Sequence, residues 1–572
     1  MKCPIVFLSS IYVVSVIMFF GCANQQPPGG GPVDMTAPVI ISTYPDSNKL
    51  NFNDNKLRIE FDRYVEERTL EESIFISPYV GALSFDWSGT EVEITFSEKL
   101  RRNTTYVVNI GTDVRDRFRG QTHMAKAYTL AFSTGPDIDR GGIEGLVFPM
   151  KKGDALAGIM IFAYRLDEMN PDTLKPMSAK PDFITQTGKN GDYFLHHIPF
   201  GSYRIFAIRD EYRNLVYDQE VDEYGVPSNM IHISQSDTLA AGIFMQLAKE
   251  DTSGPRLVKA SAQDRNHVVA EFSESLYPSS ITLASFIVAD TVNRKPLELI
   301  AVYPDPSTPK SIVVVTQKQD SAKIYLIQVQ NVTDSVGNKM NPLANSFAFQ
   351  GSPKAAANGT RLFAVSIKDS MQNINFQPVL TLTFSDALAK TTSLDFISLL
   401  DNNKQQVAVE KKQLNDVLIS MKPDQELLSK TWYMFRAELR KVHDWKDSTC
   451  KDSTMIWRFE TLDIEDMSSV EGTVVDLNTT DTAGRLYVTA SQVYGKDPNY
   501  YIEPADATGK FVFPIVAEGH YVFQAFRDRN KNGMYDPGKP FPFIFSERLS
   551  PLSDTLKVRA RWTLEGVKIQ MK

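Results

Sequence analysis

The chain reads as all-β, a row of tandem β-sandwich modules, and three observations carry that reading. Segments such as "KLRIEFDRYV", "VEITFS", "TYVVNI", "SIVVVTQ" and "VLTLTFSDAL" alternate or run apolar, are rich in β-branched and aromatic residues, and are bounded by Asn, Asp, Gly and Pro. Apolar residues at the 3.6-residue spacing of a helix are scarce. The chain also repeats itself, and repetition at this scale is the mark of modular architecture.

One unit occurs three times. It opens on a strand ending "EFDRYV" (60–65), "EFSESL" (271–276) or "TFSDAL" (383–388). A second marker follows as "TYVVNIGTDVRDRFRG" (105–120), "IYLIQVQNVTDSVGN" (324–338) and "WYMFRAELRKVHDWKD" (432–447), with Tyr opening a strand and Asp116, Asp334 or Asp444 in the turn after it. Each copy closes on a short aromatic strand, "LAFSTGP", "FAFQGSP" or "WRFETLD".

A second unit occurs twice. "GGIEGLVF" (141–148) matches "SSVEGTVV" (468–475), and "TGKNGDYFLHHIPFGSYRIFAIRD" matches "TGKFVFPIVAEGHYVFQAFRD", with Gly201/Gly519 and Tyr203/Tyr521 in register. The resulting boundaries are a signal at 1–21, a tether at 22–36, and modules at 37–136, 141–250, 255–353, 359–463 and 468–572. Each module has about 100 residues, a common size for a sandwich that folds by itself. Such modules cohere through their own buried strands, so no deep polar cavity is expected across a border.

The threefold unit resembles the bacterial Ig-like domains of S-layer and cell-surface proteins, in which "FSE-x-L" and "D-x-x-G-N" markers recur; the third copy departs most, with no Gly-Asn after Asp444. The twofold unit resembles the carboxypeptidase-regulatory or transthyretin-like sandwich, through its "G-x-V" opening strand and later "G-x-F-x-F…G-x-Y". The order as a whole resembles Ig-like-domain lipoproteins of the Bacteroidetes group. That resemblance implies fold and export and says little of activity.

Export is also written at the N-terminus. Lys2 precedes the apolar run "PIVFLSSIYVVSVIMFF", and "GCAN" follows. The run falls short of the roughly 20 residues a membrane-spanning helix needs, as a secretion signal does. Cys22 with its small preceding residue resembles the lipobox of bacterial lipoproteins, which implies cleavage before Cys22, its lipidation, and a membrane partner reached through the lipid. The Gly- and Pro-rich "NQQPPGGGPVDMTAP" cannot pack and suits a tether. With Cys3 removed and Cys22 acylated, Cys450 alone remains, so no intrachain disulfide framework forms.

Net charge is −8 and no basic run interrupts it, which argues against nucleic acid as a partner. No His-Glu-x-x-His, Gly-x-Ser-x-Gly, phosphate loop or Cys-x-x-Cys occurs, so no enzyme is expected. His196 and His197 are adjacent on a strand and point to opposite faces, so they cannot chelate one ion together. The pairs Glu66-Glu67 and Glu71-Glu72 fit one solvated helical turn.

The stretch "DRNKNGMYDPG" (528–538) has the spacing of a calcium loop. Asp528, Asn530, Asn532, the Met534 carbonyl and Asp536 take ligand positions 1, 3, 5, 7 and 9, with Gly533 at the bend. Position 12 is Lys539, so a bidentate acid is missing unless Glu547 folds back. The same residues also suit a turn whose side chains cap their own backbone. The paralogous "DEYRNLVYD" (210–218) keeps Asp210, Asn214 and Asp218 but has Tyr212 and Leu215 in place of Asn530 and Gly533, so any metal is expected in the second copy. One structural calcium is the sole cofactor expected.

Asp-Ser/Thr-aliphatic triplets around Thr173, Thr238, Thr291, Ser335 and Thr555 resemble the O-glycosylation acceptor of exported proteins in the same bacterial group. The function expected is a non-catalytic, lipid-anchored outer-membrane protein, an envelope scaffold or adhesion module with a protein or glycan partner. The lack of an acidic run after Cys22 favours the periplasmic face over the cell surface. The alternative is a glycan-binding accessory protein of a polysaccharide-uptake system, which needs an exposed aromatic platform. Tyr500 and Tyr501 in "DPNYYIEP" are its candidates, and a buried strand is expected for them instead.

Overall fold

The computed structural model describes residues 35–118, 122–167, 170–478, 480–495 and 498–571. The signal, Cys22 and the tether as far as residue 34 lie outside them. Among the described residues the strands form ten sheets, which follow one another two by two along the chain. In the first sandwich, a four-stranded sheet spanning Ile40–Tyr44 to Glu91–Phe96 faces a three-stranded sheet of Ile74–Ser77, Thr105–Ile110 and Tyr128–Ser133. The third pairs two four-stranded sheets, the fourth a four- with a five-stranded one, and the second and fifth each pair a three-stranded sheet with a larger one. Each pair encloses its own apolar cluster. The helix Glu67–Ser73 leaves Glu67, Glu71 and Glu72 in solvent, as expected.

The repeated residues earn their places physically. The Tyr opening each second marker is buried, and its hydroxyl accepts the backbone N–H five residues upstream. Arg101 donates to Tyr106 at 2.7 Å, Asp320 to Tyr325 at 3.0 Å and Leu428 to Tyr433 at 2.9 Å. This ties the strand to the loop that feeds it, as a tyrosine corner does. The same rings stack on the closing aromatic strand, Tyr106 on Phe132, Tyr325 on Phe349 and Tyr433 on Phe459. Asp116, Asp334 and Asp444 are buried and accept the N–H two residues on, from Phe118, Val336 and Lys446. Asp444 therefore keeps the turn without its Gly-Asn.

In the twofold unit the opening strand lies between two others. Gly141–Phe148 pairs antiparallel with Asp192–Ile198 and parallel with Leu239–Gln246, and Ser468–Asp476 does the same with Lys510–Val516 and Leu564–Met571. Gly145 and Gly472 sit at the tightest approach: a Cβ would lie 1.8 Å from the Ile243 carbonyl oxygen at the first and 2.3 Å from that of Val567 at the second. The glycine of the "G-x-V" marker is thus a requirement of space. Tyr203 and Tyr521, both buried, donate to the carbonyls four residues back, Pro199 at 2.7 Å and Ala517 at 3.0 Å.

The modules do not run as a simple row. The fifth sandwich packs on the second, past the two between them. Phe543 lies under the Arg204 guanidinium at 3.6 Å and against Phe206, the Tyr224 hydroxyl donates to the Gly538 carbonyl at 3.0 Å, and the Ser546 N–H reaches the Pro227 carbonyl at 3.3 Å. Phe148 of the second shares an apolar cluster with Phe526 and Leu549 of the fifth. The first and second sandwiches also dock: Asn109 donates to the Ile184 carbonyl at 2.6 Å, and the Ile184 N–H to Ser77 Oγ at 3.2 Å.

Candidate functional site

The loop after the long strand Gly519–Asp528 brings the predicted side chains together through hydrogen bonds of its own. Asp528 is fully buried; its Oδ1 accepts the N–H of Lys531 at 2.6 Å and of Asn532 at 3.2 Å, and its Oδ2 that of Gly533 at 2.9 Å. Asn530 Oδ1 accepts the Asn532 N–H and Asn532 Oδ1 the Met534 N–H. Asp536 Oδ2 receives both side-chain amides, from Asn530 at 2.6 Å and Asn532 at 3.0 Å. Met534 is exposed. Gly533 has φ of 76°, the left-handed conformation the bend requires.

Glu547 does fold back. It is buried, and its two carboxylate oxygens accept the N–H of Arg529 at 2.6 Å and of Asp536 at 3.2 Å. Burial pushes its carboxyl up, two backbone N–H bonds oppose this, and Asp536 and Asp528 add to the rise. The donor set of Asp528, Asn530, Asn532, Asp536 and Glu547 is the hard-oxygen chemistry calcium takes. The hydrogen bonds are those of a self-capping turn, with Asn530 and Asn532 turning their amide nitrogens to Asp536.

The first copy has the same skeleton. Asn214 and Leu215 donate to Asp210 at 3.1 and 2.8 Å, Asn214 Nδ2 to Asp218 at 2.7 Å, and Val216 to Asn214 Oδ1 at 3.0 Å. Leu215 adopts φ of 61° where the second copy has glycine. The fully buried Asp222 accepts from Glu211 at 3.0 Å and Asp218 at 2.8 Å, the bonds Glu547 makes in the fifth sandwich. Sequence reasoning missed Asp222, because four residues separate it from Asp218 whereas eleven separate Glu547 from Asp536. Asp210, Asp218 and Asp222 hold carboxylate oxygens within 4.8 Å of one another, as do Asp251, Glu274 and Asp334.

Beside the loop of the fifth sandwich lies a buried ion cluster. Asp476 accepts Arg527 Nη2 at 2.6 Å and pairs with Arg548 through its other oxygen, and the Arg527 and Arg548 side chains are 8% and 4% exposed. These arginines flank Asp528 and Glu547 in sequence and pin the two ends of the loop to Asp476.

Several clefts cross the border between the first and second sandwiches, where the sequence reading expected none, and two of them exceed 700 Å³. One, of about 720 Å³, is lined by Lys126, Thr129, Glu144, Lys189, Asp192 and Phe194 among others. The other, of about 740 Å³, is lined by Arg101, Asn103, Asp139, Arg165, Asp167 and Phe200 among others.

His196 lies on the strand and His197 breaks its register with φ of 55°, so the strict alternation expected of the pair does not hold: their ring centroids are 6.0 Å apart and both line one cleft. Cys450 is buried in the core of the fourth sandwich, and burial pushes its thiol up. Tyr501 packs on the core of the fifth, but Tyr500 is 61% exposed, because successive residues of that edge strand face opposite sides; the expectation of burial fails for it. Trp562, which sequence reasoning did not single out, is 73% exposed. Thr173, Thr238, Thr291, Ser335 and Thr555 all stand exposed.

Residues 34–134 match the family model of the bacterial Ig-like domain, which covers the first sandwich alone. Among solved structures, the N-terminal part of the bacterial S-layer protein SbsC is similar at 10% identity and a TM-score of 0.17, covering 36% of this chain and 44% of that one. Domains 1–6 of SbsC are similar at 8% identity and a TM-score of 0.16, covering 91% of this chain and 66% of that one. BcpA, the major pilin subunit of Bacillus cereus, is similar at 10% identity and a TM-score of 0.14, covering 76% of this chain and 99% of that one. No curated protein matches the chain.

Proposed function

We propose that this chain is a non-catalytic cell-envelope protein, a scaffold or adhesion module held to the outer membrane by a lipid on Cys22. The observation that carries the reading is architectural: five sandwiches, each with its own core, are docked through packed joints, a construction suited to holding surfaces at set positions and offering sheet edges to a protein partner. Loop 528–547 is read as holding one calcium, which stiffens the segment that carries Phe543 into the second sandwich.

The test is fractionation of cells carrying a tagged chain, with cross-linking and recovery of partners. Envelope recovery that is lost in Cys22→Ser, with a defined envelope partner, supports the reading. A soluble cytoplasmic protein would overturn it.

A second reading, glycan binding, is favoured by the 720 Å³ cleft, whose walls offer hydrogen-bonding groups of both charges around Phe194. Binding on a glycan array that disappears in Phe194→Ala would establish it, and an array without binding would dismiss it.

A further inference from the structure

His267 begins the strand His267–Phe272 of the third sandwich and is 6% exposed. Its Nδ1 lies 2.9 Å from both oxygens of Asp264, in the turn just before it, and its Nε2 lies 3.0 Å from Asp386 Oδ1 of the fourth sandwich. A carboxylate only accepts, and a neutral imidazole has one donor. Two carboxylates therefore call for an N–H on both nitrogens, and the ring is an imidazolium. A neutral ring would set a lone pair against a carboxylate in a buried place, where an unpaired charge is costly.

Asp386 is the hub of the joint. It also receives the Tyr303 hydroxyl of the third sandwich at 3.3 Å and the Trp445 indole N–H of the fourth at 3.2 Å. Around this cluster Ala301, Tyr303, Val313 and Val315 of the third sandwich meet Ala387 and Val417 of the fourth in one apolar patch. The Val302 N–H crosses the same joint to Asp416 at 3.0 Å. Other charged groups at the joint are Asp416 with Lys390 beside it, Asp305 near the Tyr303 hydroxyl, and Lys446, whose ammonium lies 4.7 Å over the Trp445 ring.

The repeats show that this position answers to its joint. The residue equivalent to Asp386 is Arg63 in the first sandwich, where it lies 3.6 Å from Asp116 and donates to the Thr36 carbonyl of the entering chain at 3.1 Å. In the third it is Glu274, beside Asp334 and Asp251 of the entering linker. In each copy the residue faces what precedes the module.

We propose that the third and fourth sandwiches move as one rigid arm, locked by a doubly protonated His267 that donates one N–H to Asp264 and the other to Asp386, and that loss of either proton releases the joint. Burial alone would lower the His267 pKa, but the bonds and charges of Asp264 and Asp386 outweigh it and raise it to about 9. A pKa raised on folding gives stability that is complete below the ordinary value near 6.5 and is lost as pH rises through 9. The lock is closed at neutral pH and opens in alkali.

Hydrogen exchange on the full chain at neutral pH tests this. In His267→Gln, and separately in Asp386→Asn, exchange at 301–303 and 386–388 is expected to rise about tenfold or more, while Phe286–Asp290 and Ile397–Leu400 hold. The double variant should be no looser than the worse single one, since both remove one interaction. The His267 ring resonance should titrate near 9. Unchanged exchange at the joint in both variants, loosening throughout 257–350, or titration near the ordinary value would each overturn the proposal.

Discussion

Glu547 accepts the Arg529 backbone N–H at 2.6 Å, so a carboxylate eighteen residues downstream closes the loop that Asp528 opens. The pair closes a polar turn over the buried carboxylates of Asp528 and Glu547. Calcium binding to it is expected to be weak, with Kd of about 10⁻⁴–10⁻³ M. At tenfold over Kd it stabilises the fifth sandwich by about 1.4 kcal/mol, by mass action. Calorimetric titration of the full chain, repeated with Glu547→Gln and Asp528→Ala, checks this: binding is expected in the parent and absent from both variants.

The cluster of Asp476 with Arg527 and Arg548 gives a larger effect. Asp476→Asn removes the carboxylate that both buried guanidiniums share, leaving Arg548 only Asp481 at 4.0 Å. A cost of about 3–5 kcal/mol is expected, as for other buried pairs broken on one side. Urea unfolding followed on the fifth sandwich measures it.

Gly472→Ala isolates the spatial role of the repeated glycine. Its new methyl would meet the Val567 carbonyl oxygen at 2.3 Å and the Phe511 ring at 2.4 Å, so the parallel strand has to shift. Overpacking of this kind costs about 1–3 kcal/mol. The denaturation midpoint should fall accordingly, and Gly145→Ala should do the same to the second sandwich.

Phe543→Ala should loosen the contact between the second and fifth sandwiches while leaving both cores intact, because the ring packs on Arg204 and Phe206 across the joint. Cross-linking from Lys152, whose ammonium reaches the Gln492 carbonyl at 2.5 Å, is expected to fall in this variant.

What could be read from the sequence follows from which interactions are local. The Tyr and Asp markers bond to backbone only two to five residues away, so repetition in the chain carried them directly into the fold. Gly145 and Gly472 were visible for the same reason, as invariants of two copies of one strand. Asp222 was hidden because the loop it closes differs in length from its paralogue. The meetings of His267 with Asp386 and of Phe543 with Arg204 were also hidden, since each joins residues more than a hundred positions apart on separate modules. Modular repetition reveals modules and conceals their joints, which is why a row was expected and a folded-back chain was found.

Solution X-ray scattering of the chain tests the central claim, that five docked sandwiches turn back so that the fifth rests on the second. The profile should match the folded-back arrangement and lengthen in Phe543→Ala. A profile of five modules strung end to end in the parent chain would contradict it.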